Sequence, residues 1–141
     1  MKKSFISHYF EGKSGKSLRK TITPDWKSTT GHLKLLNIPR EINSVLEVGC
    51  GIGRLLKELN EDIPVCVGFD ASSAMIREGQ EYCANTSVKL FKCDGLDKLP
   101  IDDIEFDYAF SIITFQHIPN TDTVKHYLSE MYRLLKSGGG I

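Results

Sequence analysis

Short apolar runs alternate with amphipathic stretches along most of this chain, and that alternation constrains its fold more than any other feature. Strands are predicted for the apolar runs at 45–48, 65–69, 88–93 and 106–113. Helices are predicted after residue 53, over 72–85 and over 121–136, where apolar residues recur at helical spacing. Strands and helices that alternate in this way form a parallel sheet that is covered by helices on both faces.

The two ends of the chain differ from its middle. Residues 1–40 are predicted to be an N-terminal arm and a helix over 25–36, a candidate lid, and residues 41–141 to be the α/β domain. Ser137 and the three glycines at 138–140 predict the stop of the last helix, because glycine takes the left-handed conformation at low cost. Ile141 is then expected to begin a fifth strand. We therefore expect a fragment of a longer protein with an exposed edge at strand four, which self-associates through that edge or through uncovered helix surface.

Charge and cysteine content disfavour several classes of function. The 18 basic residues balance the 18 acidic ones, so no positive field attracts nucleic acid or an anionic membrane. No segment approaches the length of a membrane span or of a signal peptide's apolar run. The cysteines have neither the paired spacing of a zinc site nor the density of a disulfide scaffold, which predicts reduced thiols, no metal and a cytoplasmic location. They are Cys50, Cys66, Cys83 and Cys93.

A glycine-rich turn, residues 49–53, follows the first predicted strand. Gly49 and Gly51 let the backbone approach a ligand there, and the next helix directs unpaired N–H groups to the same place. A turn that merely joins strand to helix is the alternative for such a motif on its own. Dinucleotide-binding turns read Gly-x-Gly-x-x-Gly, and Arg54 stands where their third glycine would be. An NAD-dependent oxidoreductase is therefore the less favoured interpretation.

Glu47 stands two residues before the first glycine, and the turn then reads acid-x-Gly-x-Gly-x-Gly. In this the chain resembles the class I, Rossmann-like, S-adenosylmethionine-dependent methyltransferases. Four later segments are similar to that family in order and spacing: 68–75, 93–95, 106–111 and 134–139. The resemblance implies a doubly wound sheet with strand order 3-2-1-4, lacking the C-terminal strands. It also implies the cofactor S-adenosyl-L-methionine, with S-adenosyl-L-homocysteine as its product.

The resemblance also implies roles for three acids at the ends of adjacent strands. Asp70 would hold the ribose, with capping of the next helix as the alternative, and Asp94 would meet the adenine amine. Glu47 would either contact the cofactor or brace the turn. We expect the three acids to converge on one positively charged nucleoside. The implied cofactor-binding residues are Glu47, Gly49, Cys50, Gly51, Gly53, Asp70, Ala71, Met75, Asp94, Gly95 and Ser111.

His117, just beyond the fourth predicted strand, is the candidate general base, since histidine takes up a proton near neutral pH. Capping of the next helix, or packing over the cofactor, is the alternative. Residues 111–114 lack the Asp/Asn-Pro-Pro-aromatic motif of enzymes that methylate nucleobase amines or glutamine amides. The chain is most similar to small-molecule methyltransferases, the ubiquinone-biosynthesis enzymes among them. A non-catalytic cofactor-binding or interaction module is the alternative function.

Overall fold

The structure is a computed structural model, and it describes Leu36, Ile38, Pro39 and residues 41–141. The predicted arm lies outside the described residues. So does most of the predicted helix over 25–36, of which Leu36 is described as helical and buried. The division at residue 40 and the candidate lid stay predictions.

The described part of the chain folds into one parallel sheet with helices between its strands. The strands are β1 (Ser44–Val48), β2 (Val65–Asp70), β3 (Lys89–Lys92), β4 (Phe106–Phe110) and β5 (Leu135–Gly140). The helices are α1 (Arg54–Leu59), α2 (Ser73–Tyr82) and α3 (Thr121–Arg133), and a 3-10 turn (Phe115–His117) precedes α3. The strand order is β3-β2-β1-β4-β5, and each adjacent pair is parallel. The predicted fold class and the order 3-2-1-4 are confirmed.

The sheet separates two apolar cores, because successive side chains of a strand point to opposite faces. Leu46 and Val48 of β1 pack in the core that contains Met131 of α3, whereas Val45 packs in the core that contains Leu56 of α1. Every residue of β1 is buried, as in a central strand that is covered on both faces. The chain crosses between faces on either side of β1, so ligands are expected at the carboxyl ends of β1 and β4.

The end of the chain differs from the prediction. Helix α3 stops at Arg133 instead of 136, and residues 135–140 form β5, so the fifth strand does not begin at Ile141. Phe106 pairs with Leu135 and Tyr108 pairs with Gly140, with a shift of register between the two pairs. Backbone hydrogen bonding to β4 outweighs the weak strand propensity of serine and glycine here. The predicted glycine stop and the open edge at strand four are therefore wrong, because β5 and not β4 is the last strand on that side of the described sheet.

Asp107 joins three strands at their amino ends, opposite the carboxyl ends. Its Oδ2 accepts hydrogen bonds from the backbone N–H groups of Asn43 (2.9 Å) and Ser44 (3.0 Å), and Lys136 Nζ donates to its Oδ1 (2.8 Å). The Lys136 hydrogen bond is the largest cause that lowers the pKa of Asp107 to about 2. The ionised carboxylate thus stabilises the junction of β1, β4 and β5.

Asp107→Asn is expected to lower the free energy of unfolding at neutral pH by about 1–3 kcal/mol, because an amide nitrogen cannot accept these hydrogen bonds. The folded pKa lies below the ordinary value of 3.8, so this stability is present above that pH and is lost as the pH falls towards 2. Urea denaturation between pH 2 and 7 measures the difference, which should disappear at the acid end.

Asp102→Asn is the matched control, because Asp102 pairs with Lys98 at the surface and its side chain is 66% exposed. Exposed ion pairs contribute little to stability, so this variant should unfold nearly as the unaltered chain does. Equal losses in the two variants would contradict the role given to Asp107.

Candidate functional site

A cleft of about 540 Å³ opens beside the carboxyl ends of β1 and β4. Of the predicted cofactor-binding residues, it is lined by Glu47, Gly49, Cys50, Gly51 and Met75. It is also lined by residues that the sequence analysis did not assign to the site: Ile52, Arg54, Leu55, Glu78, Ile112 and Ile113. The cleft lies where a doubly wound sheet binds its ligands.

Gly49 and Gly51 are needed in the turn for different structural reasons. Gly49 (φ 78°) and Gly51 (φ 55°) both adopt the left-handed backbone conformation, which glycine takes without strain. A Cβ at Gly49 would lie 2.0 Å from Oγ1 of Thr114, so this position needs glycine for close packing as well. A Cβ at Gly51 would meet no atom within 4 Å. Gly51 therefore leaves its backbone open to the cleft.

Asp70, the last residue of β2, holds the turn in place. Its Oδ2 accepts a hydrogen bond from the backbone N–H of Gly51 (2.8 Å), and its Oδ1 accepts one from Ser72 N–H (2.8 Å). Ser72 itself caps α2, because its hydroxyl accepts from the backbone N–H of Met75 (3.2 Å). The helix-capping role considered for Asp70 thus belongs to Ser72. Each carboxylate oxygen of Asp70 has a further lone pair for another donor.

Glu47 carries a buried carboxyl group with an unsatisfied oxygen. The residue is 3% exposed, and its Oε2 has no hydrogen-bond partner among the described residues. Burial, and next the negative charge of Asp70, raise the pKa of Glu47 to about 8, and the positive charge of Arg54 opposes them. Buried polar groups are nearly always paired, and an unpaired one needs an explanation. Since Glu47 lines the cleft, a cationic donor bound there would satisfy it.

Asp94 follows β3 and faces a second, smaller depression of about 240 Å³. Its Oδ1 accepts a hydrogen bond from Leu96 N–H (3.0 Å), and the left-handed Gly95 gives room to the ring of Tyr127. Burial is the main cause that raises the pKa of Tyr127, and both Asp94 and Asp70 contribute to it. Asp70 therefore lies within electrostatic reach of Glu47 on one side and of the Tyr127 ring beside Asp94 on the other.

The segment after β4 forms the opposite wall of the cleft. Ser111 Oγ donates a hydrogen bond to the carbonyl oxygen of Val48 (2.8 Å), and Thr114 Oγ1 lies 3.5 Å from the same oxygen. Between them Ile113 has φ 64°, a rare conformation for a β-branched residue, and its side chain is half exposed on the cleft. The predicted strand over 106–113 therefore ends at Phe110.

Some predicted site residues stand away from the cleft. His117 is exposed, its Nε2 lies 3.2 Å from the side-chain nitrogen of Gln116, and it is not among the residues that line the cleft. Asn120, rather than His117, caps α3. Gly53 is the N-cap of α1, and a Cβ there would lie against Cys83 and Leu90. Ala71 is exposed next to Asp70. The roles predicted for His117, Gly53 and Ala71 stay predictions.

The described residues offer neither a metal cluster nor a membrane-spanning helix. The cysteines are free and buried, and burial raises the pKa of the Cys50 thiol that lines the cleft. Within residues 41–141 and the few described before them, no group of three or more His, Cys, Asp or Glu side chains is placed to hold a metal ion. None of the helices described is long and apolar enough to cross a membrane.

A parallel sheet of this order, with a glycine turn and acids at the ends of adjacent strands, defines a Rossmann-like α/β domain with its ligand cleft at the switch point. Comparison with known proteins narrows the class. A family described as "Methyltransferase domain" matches residues 45–139. The chain belongs to this family, and the resemblance found in the sequence is confirmed.

Several characterised proteins are similar to this chain. It is 32% identical over 98 residues to the sterol 4-C-methyltransferase strm-1 of Caenorhabditis elegans, covering 67% of this chain and 28% of that protein. It is 34% identical over 101 residues to the demethylmenaquinone methyltransferase of Staphylococcus carnosus, covering 69% of this chain and 40% of that protein. PKMT2 from Rickettsia typhi, solved in complex with AdoHcy, superimposes with a TM-score of 0.60 at 27% identity, over 84% of this chain and 24% of that one. The chain thus spans less than half the length of these proteins.

Proposed function

We propose that this chain is the S-adenosylmethionine-binding part of a methyltransferase that acts on a small molecule. The observation that carries the proposal is the buried Glu47 carboxyl group, which has an unpaired oxygen and lines a cleft beside the open backbone of Gly51. A cofactor with an ammonium and a sulfonium group suits such a site, because both positive charges favour the carboxylate form of Glu47 over the protonated form that burial stabilises. Family membership and the likeness to a protein solved with AdoHcy support the same ligand.

The residues present fit this cofactor. Asp70 keeps free lone pairs for the ribose hydroxyl groups while it holds the turn, and Glu47 would accept from the ammonium group. Asp94 would accept from the adenine amine, and the missing side chain of Gly51 leaves room for the cofactor against the backbone. S-adenosylmethionine, when bound, supplies an activated methyl group.

The acceptor is proposed to be a small apolar molecule. Ile112, Ile113 and Met75 give the cleft an apolar side, and Ile113 and Met75 are 41% and 45% exposed. A sterol and a quinone are named as the methylated compounds of two similar proteins, which supports this choice. The chain's main task is to hold the acceptor in line with the methyl group, since positioning alone can supply about 7–11 kcal/mol of barrier reduction. A basic role for His117 stays a prediction.

Other partners follow from the same proposal. The balanced charge favours no nucleic acid and no membrane surface as a partner. Self-association through an exposed edge of the sheet stays a prediction. The cytoplasmic location stays a prediction.

Thermal unfolding with added ligands tests the proposal. S-adenosylmethionine and S-adenosylhomocysteine should raise the melting temperature as their concentrations rise, because a ligand that binds only the folded state stabilises it. NAD should leave it unchanged. A shift with NAD alone would overturn the proposal in favour of an oxidoreductase, and the absence of any shift with the two methionine-derived ligands would also overturn it.

Asp70→Ala is expected to weaken binding of S-adenosylhomocysteine by about 1–3 kcal/mol, because it removes charge-assisted hydrogen bonds. Isothermal calorimetry measures the loss. Asp62→Ala is the control, since Asp62 is an exposed acid before β2, at the opposite edge of the sheet. Unchanged affinity in Asp70→Ala, with the control also unchanged, would remove Asp70 from the site.

A further inference from the structure

Arg54 lines the cleft, and its guanidinium group has no partner among the described residues. It is the first residue of α1 and is exposed, and no hydrogen bond or ion pair joins its side chain to another residue in the described part of the chain. Arg133 is different, because Glu130 Oε2 lies 2.7 Å from its Nη2 and the Ile101 carbonyl oxygen 3.4 Å from it. The sequence analysis used Arg54 only to argue against a dinucleotide. A cation in this position can bind an anionic group of a ligand in the cleft.

Arg54 faces acids across the cleft. Its charge acts on Glu47, whose pKa it lowers against the effects of burial and of Asp70. Glu78 of α2 lines the same cleft. Among the described residues that line the cleft, Arg54 is the cation. The cleft therefore offers an unpaired carboxyl group and an unpaired guanidinium group to the same space, which matches a ligand that carries both an ammonium and a carboxylate.

We propose that Arg54 binds the α-carboxylate at the methionyl end of the cofactor, while Glu47 accepts a hydrogen bond from the ammonium group at the same end. This inference rests on the proposed function. A guanidinium group matches a carboxylate with two parallel N–H donors, and such pairs are stronger than neutral hydrogen bonds. Arg54, which stands where a dinucleotide-binding turn has its third glycine, would thus favour a ligand with an amino-acid end.

The test compares a ligand that has the carboxylate with one that lacks it. Isothermal calorimetry is done with S-adenosylmethionine and with decarboxylated S-adenosylmethionine, which keeps the amine, the sulfonium and the nucleoside. Arg54→Ala should weaken S-adenosylmethionine binding about tenfold and change the affinity for the decarboxylated ligand by less than about twofold. The affinity of Arg54→Lys for S-adenosylmethionine should lie between those of Arg54→Ala and the unaltered chain, because lysine keeps the charge and loses the two parallel N–H donors.

Arg77→Ala is the matched control, because Arg77 is an exposed arginine of α2 that does not line the cleft. It should bind both ligands as the unaltered chain does. Equal weakening of both ligands by Arg54→Ala, or no weakening of either, would overturn the role of Arg54. Failure of the unaltered chain to bind S-adenosylmethionine would instead overturn the proposed function, so the two failures are distinguishable.

Discussion

Gly49→Ala is expected to lower the free energy of unfolding by about 2–5 kcal/mol, since two costs add. At φ 78° a Cβ strains the backbone, which costs about 1–2 kcal/mol. The same Cβ would lie 2.0 Å from Oγ1 and 2.3 Å from Cγ2 of Thr114, and such overpacking costs about 1–3 kcal/mol more. Thr114 has little freedom to move away, because its hydroxyl lies against the carbonyl oxygens of Val48 and Gly49.

Gly51→Ala separates the two costs. Gly51 also has a positive φ, but nothing lies within 4 Å of its added Cβ, so only the strain of about 1–2 kcal/mol remains. Urea denaturation measures both variants. Calorimetry should then show that Gly51→Ala loses affinity for S-adenosylhomocysteine while it stays folded, because its methyl group enters the cleft. If both variants unfold at the same urea concentration, the contact with Thr114 does not limit this position.

The free energy of unfolding of the unaltered chain is expected to fall by about 3–4 kcal/mol as the pH rises from 5 to 8, and Glu47→Gln is expected to remove this fall. The folded pKa of about 8 lies above the ordinary value of 4.5, so the folded state holds a proton that the unfolded state has released. In that window the folded state binds more protons, and stability therefore falls as the pH rises. Glutamine does not titrate, so its contribution is the same at both ends of the window.

The measurement is urea denaturation of both proteins at several values between pH 5 and pH 8. The difference in stability should move in favour of Glu47→Gln as the pH rises, whatever its value at pH 5. Glu78→Gln is the control, because Glu78 lines the same cleft but is exposed and should show no such trend. A difference between Glu47→Gln and the unaltered chain that stays constant with pH would show that Glu47 is ionised in the folded state.

The sheet and the positions of the acids were predictable from the sequence, for a physical reason. Strands buried on both faces are nearly continuous apolar runs, and such runs, interrupted by Glu47 and Gly68, stand out at 45–48 and 65–69. The carboxyl ends of parallel strands share one edge of the sheet, so Glu47, Asp70 and Asp94 had to lie near it. That Asp70 braces the turn, and that Glu47 is unpaired, depends on side-chain directions that spacing alone does not fix.

Strand β5 could not be predicted, because residues 137–140 have almost no intrinsic preference for a strand. Leu135 also continues the apolar stripe of α3, so the helix pattern runs on past its real end at Arg133. In the cleft, Arg54 and Glu78 were missed for a related reason. Helical spacing separates apolar from polar faces, but it does not show which polar residue of a helix meets a cleft formed by other elements.

The hydroxyl groups of Ser111 and Thr114 both reach the main chain where β1 ends. Under the proposed function, the segment that faces the methyl acceptor is therefore hydrogen-bonded to the same end of β1 that leads into the turn beside the methyl donor. The relative position of the two reactants would then depend on these main-chain contacts. Substitutions at 112–113 would change which acceptor is bound without moving the methyl donor.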